Sequence, residues 1–313
     1  MCGVVGILNF TGEPASPAVL RRMTDAIAHR GPDGEGFYHD GGVGLGHRRL
    51  AIIDLSPAGR QPMISQDAQV VLSYNGEIYN FQELRLELEE LGYRFQSKTD
   101  SEVVLHAWHR WGRDCVERFN GMFAFAVWDQ RDCALYLVRD RFGIKPLYYA
   151  TWDGAFVFGS EQKALLAHPA ARRSLDRQAL LEYLTFQNIF TDRTLLEGVR
   201  LLPAGTIARV EAAGGEPRLS RYWDFRFREP DTPGDPREYR EELDRLLRQA
   251  VRRQLVTDVE LGSYLSGGID SGTLTALAAR QLPYVKTFTC GFDVSQFFNS
   301  SNDWADGILT STD

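Results

Sequence analysis

The sequence predicts an α+β protein in which a first domain of layered sheets and helices is followed by a smaller α/β segment. Two observations support this prediction. Over the first 210 residues, short apolar runs of strand length dominate, but stretches with helical spacing interrupt them, which favours sheets covered by helices. Near residue 260, an apolar strand leads through a glycine-rich turn into a helix, which is typical of a parallel α/β unit.

The predicted strands of the first domain are apolar runs bounded by turn residues, and the predicted helices repeat apolar residues every three or four positions. The run 17–29, for example, places Leu20, Met23 and Ile27 at helical spacing. Strands are predicted over 4–9, 42–46, 47–53, 70–74, 121–128, 134–139, 147–151 and 155–159, with a last strand after the turn at 203–205. Helices are predicted over 17–29, 81–91, 102–111, 160–166 and 176–187.

Composition and charge indicate a reduced, cytoplasmic protein. The 313-residue chain has a formal net charge of −7 and no block of Lys or Arg, which argues against nucleic acid or an anionic membrane as a partner. It has no apolar run long enough for a membrane span, and no basic segment of the kind that opens a signal peptide. His106 and His109 lie on one predicted helix without an apparent third metal ligand. Neither a disulfide framework nor a zinc site is expected, because no CxxC pair occurs among the cysteines Cys2, Cys115, Cys133 and Cys290.

The first three residues, Met1-Cys2-Gly3, lead directly into the apolar run 4–9. Because Cys2 is small, the initiator Met can be trimmed, which leaves a cysteine with a free α-amine. Such an amine has a pKa of about 7.7–8.0 in model peptides, so its neutral fraction near pH 7 can take the thiol proton. Nucleophile and base then belong to one residue. The alternative is a start codon followed by a small buried cysteine.

Three further sets of polar residues have both a structural and a functional interpretation. Arg48 and Arg49 occupy a predicted strand edge, where arginines usually face water, but one of them could form a bidentate contact with a substrate carboxylate. Asn75-Gly76 is a turn signal, and the same pair can donate a side-chain amide and a backbone N–H to an oxyanion. Asp100 is most simply a carboxylate at a helix N-terminus, and it could also hold a substrate ammonium.

Six stretches of the first domain form an ordered set. They are Met-Cys-Gly at 1–3, His-Arg-Gly-Pro-Asp at 29–33, Arg-Leu at 49–50, Asn-Gly-Glu-Ile-Tyr-Asn at 75–80, Gly-Met-Phe-Ala-Phe at 121–125 and Asp-Arg-Phe-Gly-Ile-Lys-Pro-Leu-Tyr-Tyr at 140–149. With them, residues 1–210 closely resemble the glutaminase domain of class II glutamine amidotransferases, which belong to the N-terminal-nucleophile hydrolases. Each match alone would be weak, and their shared order makes the resemblance specific.

This resemblance implies a fold and a set of roles for the first domain. The implied fold is a four-layer αββα sandwich, with two antiparallel sheets between helices. Cys2 would be the nucleophile, and Arg49 would pair with the glutamine α-carboxylate. Asn75 and Gly76 would form the oxyanion hole. Glu77 and Asp100 would bind the amino end of glutamine.

The composition shifts to Gly, Pro, Arg and acidic residues between 212 and 236, which predicts a linker. A helix is predicted over 236–256, a strand over 259–265 and a helix over 273–281. Between the last two lies Ser266-Gly267-Gly268-Ile269-Asp270-Ser271-Gly272, a glycine-rich turn that would present backbone N–H groups to phosphate. The alternative is a plain strand–turn–helix crossover.

The Ser-Gly-Gly-Ile-Asp-Ser sequence resembles the pyrophosphate loop of ATP pyrophosphatases, and it lacks the lysine of a Walker A loop. Behind a glutaminase domain, it points to the family of glutamine-dependent asparagine synthetases. The run 287–292 also matches the strand that lies by the adenine in that family, although Cys290 stands where most members have an aliphatic residue. By this resemblance the ATP site would be lined by Leu265, Ser266, Gly267, Gly268, Asp270, Ser271 and Cys290, with Asp270 as a candidate Mg²⁺ ligand.

The predicted organisation is therefore a glutaminase domain at 1–211, a linker at 212–236, and the beginning of an ATP pyrophosphatase domain at 237–313. The family uses glutamine, aspartate and ATP with Mg²⁺ and makes asparagine, AMP and pyrophosphate. Whether the chain forms a homodimer is left open. The sequence after 295 is rich in Ser, Asn, Asp and Gly and departs from the family pattern, so the second domain is expected to be an incomplete doubly wound α/β fold that loses order near Phe292.

Three alternatives remain open from the sequence. One is an amidotransferase that aminates another carboxylate, since the glutamine side would be identical. A second is a glutaminase-only fragment or a non-catalytic scaffold, although the presence of Cys2 argues against the scaffold. A third is a phosphoribosyl or sugar-phosphate amidotransferase, which would share only the first domain and is disfavoured by the loop at 266–271.

Overall fold

The computed structural model describes residues 1–228 and 234–291. The chain divides into two compact units. The first comprises Met1–Gly234 together with Val256–Val259, and the second comprises Asp235–Leu255 together with the residues from Glu260 onward. The assignment of 212–236 as a separate linker stays a prediction, although four residues of that segment form a strand of the first unit, as described below.

The first sheet of the first unit has six strands, and its neighbouring strands are all antiparallel. Its strands are β1 (Gly3–Asn9), β2 (Gly34–Asp40), β3 (Val43–Arg49), β8 (Tyr148–Trp152), β9 (Ala155–Gly159) and β10 (Arg200–Leu201). Their order across the sheet is β10-β8-β9-β1-β3-β2. Because β1 is paired on both sides, the residue just before it, Cys2, is attached to the rigid middle of the sheet.

The second sheet also has six antiparallel strands. They are β4 (Met63–Ile64), β5 (Val70–Ile78), β6 (Gly121–Asp129), β7 (Ala134–Arg139), β11 (Thr206–Glu211) and β12 (Arg218–Arg221), in the order β12-β11-β7-β6-β5-β4. β6 pairs with β5 along its whole length, from Val70 to Ile78. The short β4 pairs only with Val71 and Leu72, so the rest of that edge of β5 is available to side chains.

Helices cover both outer faces of the paired sheets. They are α1 (Pro17–Asp25), α2 (Phe81–Glu90), α3 (Asp100–Trp111), α4 (Gln162–Leu165) and α5 (Arg177–Phe186), with 3₁₀ turns at Ala28–Arg30, Pro57–Gly59 and Gly112–Arg118. The start of α3 matters most for the site. The hydroxyl of Thr99 accepts a hydrogen bond from Glu102 N, which caps the helix and fixes Asp100 as its first residue.

Three buried clusters define the layers of the first unit. The cluster between the sheets joins residues such as Val4 and Leu8 of β1 to Leu137 of β7. A second cluster packs α2 and α3 on the outer face of the second sheet, with Trp108 fully buried. A third packs α1 and α4 on the outer face of the first sheet, with Met23 fully buried. The order helix, sheet, sheet, helix confirms the predicted four-layer αββα sandwich.

One predicted strand was wrong in this unit, and two strands of four or more residues were missed. The strand predicted over 47–53 does not exist, because β3 continues through Arg49 and the apolar residues 50–53 leave the sheet and line a cavity. The strand Gly34–Asp40 was missed because it is a half-exposed edge strand without an apolar run. β12 was missed for a similar reason, since all four of its residues are exposed.

The second unit contains α6 (Pro236–Gln254), β13 (Gly262–Tyr264), α7 (Ile269–Ala279) and β14 (Lys286–Phe288). β13 and β14 are parallel, so their carboxyl ends lie at the same edge. Val251 of α6 packs with Leu277 and Ala278 of α7.

The predicted helix start at Thr273 was wrong, because α7 begins four residues earlier, at Ile269. The sequence Ile-Asp-Ser-Gly was taken as loop, yet an aspartate in the first turn is favourable at a helix N-terminus. The strand predicted up to Phe292 ends at Phe288, and the expected loss of order near Phe292 lies outside the described residues.

No helix within 1–228 or 234–291 is both long and apolar enough to cross a bilayer.

Candidate active site

A cavity of about 270 Å³ opens beside the start of β1. It contains all the residues that the sequence assigned to glutamine, which belong to β3, β5, α3 and the position just before β1. The predicted residues that line it are Cys2, Arg49, Asn75, Gly76, Glu77 and Asp100. Further lining residues are Met1, Leu50, Ala51, Ile52, Ile53, Gly59, Gln61, Tyr74, Thr99, Ser101, Met122 and Lys145.

Cys2 is held at both its thiol and its backbone. Leu50 N lies 3.3 Å from the Cys2 sulfur and donates to it, and the Cys2 carbonyl accepts a 2.9 Å hydrogen bond from Arg30 Nε. Arg30 is in turn fixed by an ion pair of 3.0 Å with Glu161. Burial raises the pKa of the Cys2 thiol, against the hydrogen bond from Leu50. The thiol therefore needs a nearby base before it can attack.

Asn75 and Gly76 lie on the edge of β5 that faces the cavity. The Asn75 side chain is buried, and its Nδ2 has no hydrogen-bond partner among the described residues. Along a strand, alternate N–H groups point to the same edge. Tyr74 N donates to Gln61 Oε1 at 2.7 Å and Ile78 N to Asp100 Oδ2 at 3.0 Å, so Gly76 N, midway between them, points to this edge too. Two donors thus converge on the cavity, the arrangement an oxyanion needs.

Only glycine fits at position 76. A Cβ there would lie 2.5 Å from Met122 O and 2.6 Å from the Phe123 Cβ. The Asn-Gly pair is therefore inside a paired strand, and the turn suggested by its composition is not formed.

Arg49 presents its guanidinium to the cavity from the end of β3. Its Nη1 donates to Ser56 O at 2.7 Å and its Nη2 to Asp54 O, so the loop after β3 fixes the orientation of the fork. Gly59 allows this close approach, because a Cβ there would lie 2.1 Å from Nη2. The neighbouring Arg48 forms an ion pair of 2.9 Å with Glu35, and of the two arginines only Arg49 lines this cavity.

Two carboxyl groups, Glu77 and Asp100, lie at the cavity as a like-charge pair. Asp100 accepts hydrogen bonds from Tyr74 Oη at 2.6 Å and from Ile78 N. Burial raises the pKa of the Asp100 carboxyl despite these bonds. Burial, together with the charge of Asp100, also raises the pKa of Glu77 to about 7, and the Lys145 ammonium opposes this shift. A substrate ammonium between the two carboxylates would relieve their repulsion.

Lys145 belongs to the cavity but was not predicted as a site residue. Its side chain is 5% exposed, and it is carried by the turn after β7. The Asp140 carboxylate organises that turn by accepting hydrogen bonds of 3.0 Å from the backbone N–H groups of Phe142, Ile144 and Lys145. The sequence did contain a signal for Lys145, because this lysine lies in the Asp-Arg-Phe-Gly-Ile-Lys stretch that matches the family. The resemblance assigned no role to that lysine.

Gln61 was also missed. Its Oε1 holds Tyr74 N and its Nε2 donates to Ser101 Oγ at 3.2 Å, so it connects β5 to the first turn of α3. No sequence signal marked this residue, because it lies in an irregular loop between other motifs.

The glycine-rich loop of the second unit is closed by its own residues. Ser271 Oγ accepts from Ser266 N at 3.3 Å and donates to Gly268 O at 3.1 Å. Gly267 has φ +82°, which favours glycine, and Gly268 caps α7 without a side-chain hydrogen bond. The first N–H groups of α7 therefore carry no side-chain cap and fit a phosphate.

The other predicted residues of this site lie at the same edge. Leu265 N donates to Phe288 O at 2.9 Å, and Thr289 Oγ1 donates to Leu265 O at 2.7 Å, which joins the ends of β13 and β14. Cys290 follows β14 and is exposed. Asp270, in the first turn of α7, is exposed as well.

No group of three metal-ligating side chains occurs in the part of the chain that the structure describes. One carboxylate with nucleotide phosphates is nevertheless the donor set that Mg²⁺ commonly uses, so Asp270 fits that ion only together with a nucleotide. His109 Nε2 lies 2.9 Å from Asp67 Oδ2 and forms a surface pair with it.

The sequence is similar to two sets of known proteins. The family described as "Glutamine amidotransferase domain" matches residues 1–223, and the one described as "Asparagine synthase" matches residues 242–308. Asparagine synthetase [glutamine-hydrolyzing] 1 of Bacillus subtilis is 36% identical over 300 residues, which cover 95% of this chain and 47% of that protein. Asparagine synthetase [glutamine-hydrolyzing] 3 of the same organism is 37% identical, over 89% of this chain and 45% of that protein. The chain thus spans about half the length of these curated relatives.

Among solved structures, glutamine phosphoribosylpyrophosphate amidotransferase from B. subtilis, complexed with ADP and GMP, matches with a TM-score of 0.55. The match covers 96% of this chain and 69% of that chain at 19% identity, and it supports the fold alone. The family match over residues 1–223 agrees with the αββα sandwich and with the ordered sequence stretches that line the cavity. On this evidence the chain belongs to the glutamine amidotransferase family.

Proposed function

We propose that the first unit hydrolyses glutamine to glutamate and ammonia at Cys2. The observation that carries the proposal is the convergence of an N-terminal thiol, an unpartnered amide donor, an arginine fork and a carboxyl pair on one cavity of about 270 Å³. Each group suits a different part of a glutamine molecule. The volume is suited to one small amino acid.

Binding would use both ends of the substrate. The Arg49 guanidinium suits the α-carboxylate, because its planar fork can donate two parallel hydrogen bonds. Glu77 and Asp100 suit the α-ammonium. With that end fixed, the side-chain amide reaches toward Cys2, Asn75 and Gly76. Fixing the reacting carbon in this way accounts for part of the acceleration.

The chemical steps follow from the N-terminal cysteine once Met1 is removed. The neutral α-amine takes the thiol proton, and the sulfur forms a bond to the amide carbon. The oxyanion that develops accepts hydrogen bonds from Asn75 Nδ2 and Gly76 N. The C–N bond breaks, and the leaving ammonia takes the proton back from the ammonium. A water molecule then attacks the thioester while the amine accepts its proton, the C–S bond breaks, and glutamate and the thiol are released.

For the second unit we propose the ATP-dependent half of asparagine synthesis, in which ammonia aminates activated aspartate and asparagine, AMP and pyrophosphate are released. The support is the asparagine synthase match at 242–308, the names of the curated relatives and the phosphate-type loop. Ser266, Gly267 and Gly268 would approach the phosphates, with Ser271 closing the loop. Asp270 would hold Mg²⁺ bound to them. Leu265 and Cys290, at the ends of the two parallel strands, would lie by the nucleoside.

The free state of all four cysteines supports a reducing, cytoplasmic setting, which we include in the proposal. The acceptor could be another carboxylate, since the glutamine cavity would be unchanged. Aspartate is preferred because the curated relatives are named asparagine synthetases.

The decisive experiment measures glutamate released from glutamine by the purified chain, with the mature N-terminus verified by mass spectrometry. Cys2→Ala removes the nucleophile and leaves the cavity shape, so we expect activity to fall at least about 10³-fold. Cys133→Ala, at an exposed position, is the matched control and should retain activity. Glutamine hydrolysis that survives in Cys2→Ala, or that is normal with Met1 retained, would overturn the mechanism.

A further inference from the structure

Lys145 is a buried cation that the steps above leave without a task. Its side chain is 5% exposed and lines the glutamine cavity. Its Nζ donates to the Met1 sulfur at 3.1 Å. Within the described residues it forms no ion pair. Lysine is rarely buried unless paired, so a buried ammonium whose partner is a thioether requires an explanation.

The residue that contacts the Lys145 ammonium is Met1, which has to be removed before Cys2 becomes the N-terminus. In the proposed mechanism Met1 is removed, so the Nζ of Lys145 loses this contact. Lys145 lines the same cavity as Cys2, the residue that carries the new terminus. The turn that carries Lys145 is rigid, because Asp140 binds three of its backbone N–H groups and Arg139 binds Lys145 O at 2.8 Å. The ammonium is therefore held at the cavity independently of Met1.

We infer that Lys145 is an electrostatic positioning residue that holds the mature Cys2 α-amine in its neutral, proton-accepting form. The inference deepens the proposed function and depends on it. A cation within a few ångströms of an amine disfavours the second positive charge that protonation would add. The same cation favours the thiolate once the proton has moved. Lys145 would thus prepare both the base and the nucleophile.

Two cations, Arg30 and Lys145, act on the terminal amine, and they differ in their ion-pair partners. Arg30 also lies close, but its charge is offset by the ion pair with Glu161. In the chain that still carries Met1, burial lowers the pKa of the terminal amine, and Arg30 and Lys145 lower it further, against the thiol and Asp33. The charged groups that face the terminus from the packed elements are Arg30, Asp33, Arg49, Glu77, Asp100 and Lys145.

The test compares Lys145→Met, which keeps length without charge, with Lys145→Arg, which keeps the charge. Lys286→Met, at an exposed lysine of the second unit, is the control for loss of one lysine. The first readout is kcat at saturating glutamine as a function of pH, since the glutamine ammonium keeps Glu77 ionised in the complex. The second is the rate of Cys2 alkylation by iodoacetamide without glutamine, which reports the thiolate directly.

Because the base must be neutral, activity is lost below its pKa, and removal of Lys145 should raise that pKa. We expect the acid limb of the Lys145→Met profile to move up by about one pH unit. At pH 6.5 this amounts to about a 5- to 10-fold loss of kcat, with less than about a 2-fold loss at pH 8.5. Lys145→Arg and Lys286→Met should lose kcat at the same acidic pH as the wild type. The rate of Cys2 alkylation in Lys145→Met should also be lower than in the wild type at pH 6.5.

Two results would overturn the inference. One is a Lys145→Met profile that superimposes on that of the wild type in both readouts. The other is a rise in glutamine KM with no change in the pH dependence of kcat, which would mean that Lys145 acts only on the charge of Glu77. Failure of the proposed function is distinguishable, because the wild-type protein itself would then release no glutamate. A thermal melt shows whether Lys145→Met is folded, and the alkylation profile does not require turnover.

Discussion

The cavity of the first unit and the glycine-rich loop of the second are assembled in opposite ways. The cavity collects Cys2, Arg49, Asn75 and Asp100 from strands and a helix that are far apart in the chain. The loop uses consecutive residues, and its serines are satisfied by hydrogen bonds within the loop. One site therefore exists only after the αββα core has formed, whereas the other is a local strand–turn–helix conformation.

The difference also appears in burial. The cavity holds one buried polar atom without a hydrogen-bond partner among the described residues, Asn75 Nδ2, and two carboxyl groups whose pKa burial raises, Glu77 and Asp100. The residues Ser266–Asp270 of the loop are exposed. An unsatisfied buried group costs stability, so its retention argues for a ligand that satisfies it. Substitutions in the cavity should therefore change glutamine chemistry selectively, and the following predictions test that selectivity.

After loss of the nucleophile itself, the largest expected effect belongs to Asn75→Ala. Losing the amide donor removes a hydrogen bond to the oxyanion, so we expect kcat for glutamine hydrolysis to fall about 10²- to 10³-fold with a smaller change in KM. Stopped assays of glutamate release measure both constants. Asn80→Ala is a matched control, because the Asn80 amide is already bonded to Arg118 O and Asn120 N and lies away from the cavity. Equal losses in the two variants would show that Asn75 acts through stability.

An intermediate effect is expected for Arg49→Lys. Lysine keeps the charge but loses the bidentate fork and the contacts to Ser56 O and Asp54 O, so glutamine KM should rise about 10- to 100-fold while kcat changes little. Initial rates over a range of glutamine concentrations separate the two constants. Arg48→Lys changes the neighbouring residue of the same strand, whose side chain pairs with Glu35, and should leave KM near wild type. An unchanged KM in Arg49→Lys would remove this residue from the glutamine site.

The sequence anticipated the layered fold and the members of the cavity to different degrees. Strands with continuous apolar runs, such as Gly121–Asp129 and Ala134–Arg139, were predicted within one residue because burial on both faces imposes that pattern. The exposed edge strands Gly34–Asp40 and Arg218–Arg221 lack this pattern and were missed. Composition alone also suggested a turn at Asn75-Gly76, which tertiary pairing with β6 overrides.

The site residues that were predicted came from motifs, and those that were missed act through tertiary contacts. Glu77 was assigned only by resemblance, and its raised pKa results from burial and, to a smaller extent, from the charge of Asp100, 23 positions away in the chain. Lys145 enters the cavity because Asp140 folds the turn before it, and Gln61 bridges β5 and α3 from an irregular loop. Spacing along the chain carries no information about such contacts.

The smallest and most specific effect concerns protons released when glutamine binds. The pKa of Glu77 is about 7, so at pH 7 roughly half of the molecules carry a proton there before glutamine binds. A bound ammonium favours the carboxylate and lowers this pKa, so binding must expel the proton. We expect release of about half a proton per glutamine at pH 7, more at pH 6 and almost none at pH 8.5. The raised pKa of Asp100 acts in the same direction.

Calorimetry in two buffers of different ionisation enthalpy measures this number, with Cys2→Ala used to prevent turnover. In the double variant Cys2→Ala, Glu77→Gln, the glutamine side chain at position 77 has the shape of glutamate but cannot ionise. The number of protons released on binding at pH 7 should therefore fall to the number that Asp100 alone releases. The same substitution should weaken glutamine binding at pH 8, where Glu77 is otherwise charged. Binding at pH 7 without proton release would mean that the carboxyl pair does not receive the substrate ammonium. The raised pKa of Glu77 would then reflect only its partial burial and the charge of Asp100.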